Sequence, residues 1–302
     1  MDAPLSLEPT AEQLDATLPD IDWRQAQEGV ERFSQPVPSG RLAAAAIGAP
    51  GLPRIVLAPG VTGSKEDFAF LLPLFAGAGY RVESYDAAGQ YESANAGPEH
   101  LRPPRRRYDY DLFVEDLRSV IERGGTPVHL LGHSFQGIVA QLLAVRHPEL
   151  VRSLTLLSTP PGVGNALAHV RWLGPVSRLL PAGPIAWIVR RSILGNVQGV
   201  PPGRQRFVTE RFQLTRTDAH ADSMRLLRRI PDVRAALRAT GIPILSAVGE
   251  RDVWPLDLYR QYADEIGAEL RVYPGGHSPC ETAPYELGRD MLGLFEGAPR
   301  PA

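Results

Sequence analysis

The sequence has a single cysteine, Cys280, and a single lysine, Lys65. One cysteine excludes a disulfide within the chain and a thiolate metal cluster. No stretch approaches the roughly 18 consecutive apolar residues that a membrane-spanning helix requires. The opening residues, MDAPLSLEPTAEQLDATL, lack a basic start and an apolar core, so we expect no secretory signal.

A strong excess of charge of either sign is also missing. The formal net charge is −2. Nucleic-acid binding needs a concentrated basic surface, so we expect no nucleic-acid partner. Because signal and span are both absent, we expect a cytoplasmic protein without a membrane partner. The sequence makes no prediction of the oligomeric state.

The composition is that of an ordinary globular protein. Of the 302 residues, 43% are hydrophobic and 22% are charged. This length allows one sizeable domain, or one domain that carries an insertion.

Short apolar runs alternate with segments of helical spacing along most of the chain. Several runs are continuously apolar, as expected for strands covered on both faces. The alternation predicts an α/β fold with a mostly parallel sheet and helices on both faces. The predicted strands are residues 41–47, 54–58, 81–85, 128–131, 153–157, 243–248 and 270–273. The predicted helices among them are residues 68–75, 110–121, 138–145, 256–266 and 285–295.

Residues 160–240 break this alternation. They contain no convincing strand, while large apolar residues recur at helical intervals between Gly and Pro interruptions. We expect a helical cap over the carboxyl edge of the sheet, with a long irregular connection as the alternative. Residues 41–159 and 241–302 then form the core. Residues 1–40 are expected to be an N-terminal helical extension of one or two helices, at 11–18 and 23–33.

Ser134 lies in the sequence GHSFQG, residues 132–137, between a predicted strand and a predicted helix. A serine on so sharp a turn points out of the end of the sheet, where a substrate can reach it. The first amides of the following helix face developing negative charge. This pattern is typical of a nucleophile elbow, and an ordinary turn serine is the alternative.

Over residues 41–296 the chain resembles an α/β-hydrolase of the capped type. The elbow carries the resemblance with one departure. The family has glycine two places after the nucleophile, whereas this chain has Gln136 and then Gly137. The resemblance implies a serine hydrolase with a catalytic triad in the chain order Ser, Asp, His, the last two following late strands.

Asp252 and His277 occupy those late positions. A serine hydroxyl is a poor nucleophile until a base accepts its proton, and the base must be held in one tautomer. His277 follows two glycines and precedes a proline, which predicts a loop rather than the core. Asp252 is expected to orient it. Glu250 is the alternative acid, and Asp252 is preferred because it matches the family's position and its shorter side chain suits a tight loop.

The resemblance also implies an oxyanion hole made of two backbone N–H groups, those of Val61 and Phe135. Phe135 follows the nucleophile directly. Val61 lies in the loop 59–63, where Pro59 replaces the family's usual histidine. Loss of one such donor typically raises the barrier by about 3 kcal/mol.

Two further features are interpreted as structural. Residues 86–93, DAAGQYES, resemble a family loop without its arginine and second glycine. Cys280 is interpreted as a small buried hydrophobe, with a redox switch as the alternative.

The implied chemistry is hydrolysis of an ester or thioester through an acyl-enzyme. Serine at the nucleophile position argues against the family's haloalkane dehalogenase and epoxide hydrolase branches. The chain shows neither a dinucleotide glycine fingerprint nor a phosphate loop, so we predict no metal or organic cofactor. The alternatives are C–C bond hydrolysis, perhydrolysis or acyl transfer by the same triad, a low-turnover small-molecule receptor, and a scaffold that binds through the cap.

The substrate is expected to be a small, largely apolar molecule. Aromatic residues of the expected cap are candidate substrate contacts, with packing of the cap on itself as the alternative. They are Trp172, Trp187, Phe207 and Phe212. Arginine is frequent in the same region. A solvated face is the default interpretation, and attraction of an anionic substrate is the alternative hypothesis.

Overall fold

An eight-stranded sheet forms the centre of the computed structural model, which describes residues 9–170, 191, 195 and 200–298. Its strands are β1 (Glu31–Val37), β2 (Gly40–Ile47), β3 (Arg54–Ala58), β4 (Arg81–Tyr85), β5 (Val128–His133), β6 (Val151–Leu157), β7 (Ile244–Gly249) and β8 (Glu269–Tyr273). Their spatial order is β1-β2-β4-β3-β5-β6-β7-β8. β2 pairs antiparallel with β1 and β4, and the other pairings are parallel.

Helices cover both faces of this sheet. Among the described residues they are α1 (Ala11–Asp15), α2 (Leu71–Gly77), α3 (Tyr110–Glu122), α4 (Phe135–Arg146), α5 (Pro202–Leu214), α6 (Thr217–Leu226), α7 (Arg234–Ala239), α8 (Leu256–Ile266), α9 (Pro279–Thr282) and α10 (Pro284–Gly297). Single 3₁₀ turns occur at Lys65–Phe68, Tyr91–Ser93, Pro98–His100, Pro148–Leu150 and Ala166–His169. The predicted α/β architecture is confirmed.

The middle strand, β3, shows how the two apolar layers arise. All of its side chains are buried, and alternate residues of a strand point to opposite faces. Val56 and Ala58 join the layer covered by α3, α4 and α8. Ile55 and Leu57 join the layer covered by α2 and α10. The continuous apolar run in the sequence therefore reflects burial on both sides.

The N-terminal part of the chain differs from the prediction. α1 forms inside the first predicted helix, but the helix predicted at 23–33 is wrong. Residues 31–37 are strand β1, paired with β2 from Glu31 opposite Ala46 to Val37 opposite Gly40. β1 is an edge strand with mostly exposed side chains. It therefore lacks the apolar alternation that identifies a half-buried strand.

Within the described part of the insertion between β6 and β7 lie helices α5, α6 and α7. Gly164 and Ile230 form an isolated antiparallel bridge that joins the two ends of this insertion. α5 packs against the N-terminal segment, where Phe207 contacts Trp23 and Ala69 in a small apolar cluster. A helical insertion of this kind is consistent with the expected cap, whose limits of 160 and 240 stay a prediction.

None of the helices that the structure describes is long and apolar enough to cross a membrane.

Candidate active site

Ser134 occupies the sharp turn between β5 and α4. Its backbone has φ 51° and ψ −118°, a region that residues other than glycine seldom adopt. The Ser134 N–H donates to the carbonyl of Leu157 on the neighbouring strand β6, at 2.8 Å. This bond holds the strained residue at the carboxyl edge of the sheet, with its side chain free to face other loops.

Gly137 shows how the turn tolerates glutamine at position 136, where the family has glycine. A Cβ atom added to Gly137 would lie 1.8 Å from the Thr159 hydroxyl oxygen, so the helix passes Thr159 at a distance that only glycine allows. The Gln136 side chain is buried, and its carbonyl oxygen has no hydrogen-bond partner among the described residues. The glycine that this turn needs is therefore present one position later.

The three residues predicted to form a triad lie together. His277 Nε2 is 3.0 Å from Ser134 Oγ. His277 Nδ1 is 3.2 Å and 3.3 Å from the two carboxylate oxygens of Asp252. The Asp252 side chain is fully buried, and that of His277 is 19% exposed. An imidazole held between a hydroxyl and a buried carboxylate can accept a proton from the hydroxyl.

Asp252 and His277 come from adjacent loops at one edge of the sheet, because β7 and β8 are parallel neighbours. The rival acid, Glu250, has a side chain that is 51% exposed and lies beside Arg251. The structure thus brings Asp252 to the imidazole and leaves Glu250 facing outward.

The environment of Asp252 favours its ionised form. Burial alone would raise the pKa of this carboxyl, but the charge and hydrogen bonds of His277 outweigh burial and hold the pKa below its usual value. The Trp254 N–H also donates to Asp252, at 3.3 Å. The Ser158 hydroxyl lies near enough to lower the same pKa, although its geometry falls short of a full hydrogen bond.

Trp254 was not singled out in the sequence, yet it contacts two members of this group. Its ring lies beside that of His277, with centroids 5.6 Å apart. Its indole N–H donates to the carbonyl of Ala166 at 2.9 Å, which fixes the ring against the start of the insertion. The only signal in the sequence that could have found Trp254 is its position two residues after Asp252.

His133 stabilises the loop that carries His277. Its Nε2–H donates to the His277 carbonyl at 3.0 Å, which requires the Nε2-protonated tautomer. Burial, together with the nearby His277, lowers the pKa of His133 to about 4. His133 is therefore neutral at ordinary pH and binds backbone rather than acting beside the serine.

The two segments predicted to supply the oxyanion-hole amides both lie close to Ser134. Phe135 begins α4, and its ring is buried against Tyr110 and Phe113, so only its backbone faces the turn. Val61 lies in the loop after β3. A Cβ atom added to the preceding Gly60 would lie 3.1 Å from Ser134 Cβ, which shows how closely this loop approaches the serine.

The predicted substrate contacts are only partly within the described residues. Phe207 packs edge-on to Tyr91 in the cluster with Trp23, and Phe212 packs edge-on to His220. Trp172 and Trp187 lie outside the described residues. These four assignments stay predictions.

Lys65 holds the loop 86–93 that was interpreted as structural. Its ammonium group donates to Asp86 at 3.0 Å and to Glu92 at 2.6 Å, and its side chain is buried. Cys280 is fully buried as well, and burial raises the pKa of its thiol well above the usual value. Burial of this kind fits the interpretation of Cys280 as a small hydrophobe.

A buried ion cluster beside the site was missed in the sequence. Arg204 and Arg211 of α5 both donate to the carboxylate of Asp67, and Arg204 also donates to Glu281 at 2.6 Å and 2.8 Å. Burial alone would raise the pKa of Asp67, but Arg211 and Arg204 outweigh it and bring this pKa to about 2. These two arginines therefore do not belong to the solvated face expected of the cap.

A sequence profile of the alpha/beta hydrolase family matches residues 55–287, which extend from β3 into α10. The chain therefore belongs to the α/β-hydrolase family of enzymes.

Individual proteins also match this chain, at 28% and 29% sequence identity. The chain is 28% identical over 248 residues to a putative carbamate hydrolase, RutD, from Stutzerimonas stutzeri, covering 76% of this chain and 86% of that protein. It is 29% identical over 109 residues to bifunctional epoxide hydrolase 2 from Rattus norvegicus, covering 36% of this chain. The match spans only 19% of the length of that rat protein.

A solved structure has the same fold over most of the length of both proteins. An esterase from Exiguobacterium antarcticum superposes with a TM-score of 0.73 at 19% identity, covering 88% of this chain and 100% of the esterase. At this identity the likeness concerns the fold alone.

Proposed function

We propose that this protein is a serine hydrolase that cleaves an ester or thioester of a small, largely apolar molecule through an acyl-enzyme. Ser134 is the nucleophile, His277 the general base and Asp252 the acid that orients the base. The observation that carries the proposal is the 3.0 Å separation of His277 Nε2 and Ser134 Oγ, with the buried carboxylate behind the imidazole. Such a distance is within reach for proton transfer.

Acylation begins when Ser134 Oγ attacks the carbonyl carbon of the substrate and His277 Nε2 accepts the hydroxyl proton. The carbonyl electron pair moves to oxygen as the new C–O bond forms. The N–H groups of Val61 and Phe135 bind this oxyanion. Asp252 stays ionised and stabilises the imidazolium, consistent with its lowered pKa.

Collapse of the tetrahedral intermediate breaks the bond to the leaving alcohol or thiol, which takes the proton from His277. Water then attacks the acyl-enzyme while His277 accepts one of its protons. The second intermediate collapses, the acid product departs, and the proton returns to Ser134 Oγ. Every group in this cycle belongs to this chain or to the reactants.

The charges of the insertion favour a neutral substrate. Arg204 and Arg211 are buried against Asp67 and Glu281. Arg216 is paired with Glu99 and Asp218. Because these guanidinium groups already bind carboxylates of the chain, they are poor candidates for attracting an anionic ester.

The insertion is proposed to act as a cap over the site. Its helix α5 contacts Asp67, six residues after Val61, and Glu281, four residues after His277. The cap thereby lies against both loops that the reaction uses. We propose the limits 160 and 240 for it, with the hydrolase core on either side in sequence.

The nature of the nucleophile separates this proposal from epoxide hydrolysis, which the rat relative's name suggests. An oxygen nucleophile on serine forms an acyl-enzyme from a carbonyl substrate, which is the chemistry of esters, thioesters and carbamates. The name of the RutD relative makes carbamates a sensible addition to the compounds tested.

The test is covalent labelling with a fluorophosphonate probe, followed by hydrolysis of p-nitrophenyl esters of increasing acyl length. We expect the wild type to label and to hydrolyse the shorter esters. Ser134→Ala should abolish labelling and lower kcat by several orders of magnitude, because removal of a triad member usually does so.

Ser34→Ala is the matched control, since Ser34 is exposed on the edge strand β1 far from this turn in the sheet order. It should label and turn over like the wild type. Labelling that persists in Ser134→Ala would show that another residue is the nucleophile.

A further inference from the structure

We propose that Arg211 of helix α5 is a positioning residue for the oxyanion loop: it holds the segment 60–64, and with it the Val61 N–H, against Ser134. This inference rests on the proposed serine hydrolase function. It assigns to the insertion a part in transition-state stabilisation, in addition to covering the site.

The contacts of Arg211 fix both ends of a short turn. One guanidinium nitrogen, Nη1, donates to Ser64 Oγ at 3.1 Å and also to Asp67 Oδ1. The other oxygen of Asp67 accepts the Ser64 N–H at 3.2 Å. Arg211, Ser64 and Asp67 thus form a closed hydrogen-bonded ring around the start of the Lys65–Phe68 turn.

This ring lies directly beneath the loop that carries Val61. The Gly63 N–H donates to the Gly60 carbonyl at 3.0 Å, and Thr62 between them has φ 62°, an unusual value for threonine. A Cβ atom added to Gly63 would lie 2.6 Å from the Asp67 carboxylate. The carboxylate therefore packs into the underside of the turn and restricts its movement.

Charge gives Arg211 a second effect on the same site. Asp67 is buried, and a negative charge beneath the oxyanion loop would oppose the negative charge that develops in the transition state. Arg211 and Arg204 are themselves 5% and 3% exposed, so their positive charges are little screened by water. The two arginines therefore offset the negative charge of Asp67 in a buried region, where water screens charges least.

The companion residue Arg204 anchors the same helix to the histidine loop. It donates to Asp67 at 2.6 Å and binds Glu281 with two nitrogens. Its guanidinium also lies 4.4 Å from the centre of the Trp23 ring. Helix α5 is therefore held from three sides, which gives Arg211 a rigid base from which to position the loop.

The experiment compares Arg211→Met and Arg211→Lys with Arg206→Met, an exposed arginine on the same helix. Steady-state hydrolysis of p-nitrophenyl butyrate gives kcat and KM, and fluorophosphonate inactivation gives a second rate that uses the same oxyanion donors. Circular dichroism melting reports the folded fraction, by which each rate is corrected.

We expect kcat of Arg211→Met to fall by about 10- to 100-fold, the size of effect that a misplacement of about 1 Å produces. KM should stay within about twofold, and the inactivation rate should fall with kcat, because ground-state contacts are unchanged. Arg211→Lys keeps the charge, but its side chain is one atom shorter than the reach of Arg211 Nη1, which contacts both Ser64 and Asp67. It should therefore hold the two residues less firmly and lose part of kcat. Arg206→Met should match the wild type.

A folded Arg211→Met or Arg211→Lys protein with wild-type kcat would overturn the inference, as would a change confined to KM. If Arg211→Met does not fold, Arg211→Lys alone decides between these outcomes. If the wild type resists the fluorophosphonate probe, or Ser134→Ala keeps full activity, the proposed function fails and this inference with it. Failure at Arg211 alone leaves the triad assignment intact.

Discussion

For the substitution Gly137→Ala, helix propensity and packing predict opposite changes in stability. It is the third residue of α4, where alanine would normally stabilise a helix by about 1 kcal/mol over glycine. An added Cβ would instead lie 1.8 Å from the Thr159 hydroxyl oxygen and 2.8 Å from Thr159 Cβ. We therefore expect Gly137→Ala to lower the free energy of unfolding by about 1–3 kcal/mol, the usual range for overpacking. Urea denaturation measures this difference.

Gly125→Ala serves as the comparison, because a Cβ there meets nothing within 4 Å. That variant should be close to neutral. The double variant Gly137→Ala/Thr159→Ala removes the two closest atoms and should recover part of the stability. A Gly137→Ala protein as stable as the wild type would contradict the role assigned to this glycine.

Residues that lie in a recognisable local sequence pattern were predictable, and those without such a pattern were not. Ser134, Asp252 and His277 each follow a strand in a short recognisable pattern, and the structure brings the three side chains together. The choice of Asp252 over Glu250 rested on the family pattern and on the shorter side chain of Asp252. The structure distinguishes the two, since Asp252 is buried beside His277 while Glu250 is exposed. Arg211 lies in no such pattern, and nothing around it in the sequence points to Asp67, 144 residues away.

At the scale of elements, helix α10 receives its N-terminal cap from the other end of the chain. Its own cap residue, Ala283, has no side-chain acceptor. Asp15 of α1 accepts the N–H groups of Tyr285 and Glu286 at 2.9 Å and 3.0 Å. Asp15→Ala should therefore lower the free energy of unfolding by about 1 kcal/mol, as loss of a cap does. A shift of the urea midpoint at constant slope would measure it.

Glu28→Ala changes an exposed acidic residue of the same N-terminal segment and should leave the midpoint unchanged. Equal effects of the two substitutions would indicate a general charge effect instead of capping.

Strand β1 shows the limit of sequence patterns for elements. Its sequence, ERFSQPV, buries only Gln35, so no period of two appears in its hydrophobicity. It exists because β2 offers an open edge with which it pairs along its whole length. Pro36 fits an edge strand, which can spare one backbone donor. The inner strands, buried on both faces, were recognisable from their apolar runs alone.

For the molecule as a whole, two buried groups make stability depend on pH in opposite directions. Burial raises the pKa of Asp116 from 3.8 to about 7, although hydrogen bonds from Ser39 oppose the shift. Between these values the folded state binds more protons, so this contribution to stability falls as pH rises. Burial lowers the pKa of His129 from 6.5 to about 4, and its contribution rises over that range.

Asp116→Asn isolates the first of these effects, since an amide can accept from the Ser39 N–H and donate to the Ser39 hydroxyl. We expect the stability of this variant relative to the wild type to grow steadily from pH 4 to pH 7. Each pKa unit corresponds to about 1.4 kcal/mol. Urea denaturation at several pH values gives the difference.

Asp264→Asn, at an exposed position near the end of α8, should differ from the wild type by a constant amount across this range. Parallel stability curves for Asp116→Asn and the wild type would contradict the assignment.

Because the ammonium group of Lys65 is buried, chemical modification of this single lysine depends on local motion of the loop around it. Burial alone would lower the pKa of Lys65, but Asp86 and Glu66 outweigh burial and raise it, so the amine stays protonated and shielded. Acylating reagents can then modify it only while the loop four residues beyond Val61 is transiently open. The rate at which a peptide containing Lys65 gains the label therefore measures the rate of local opening of the loop beside Ser134.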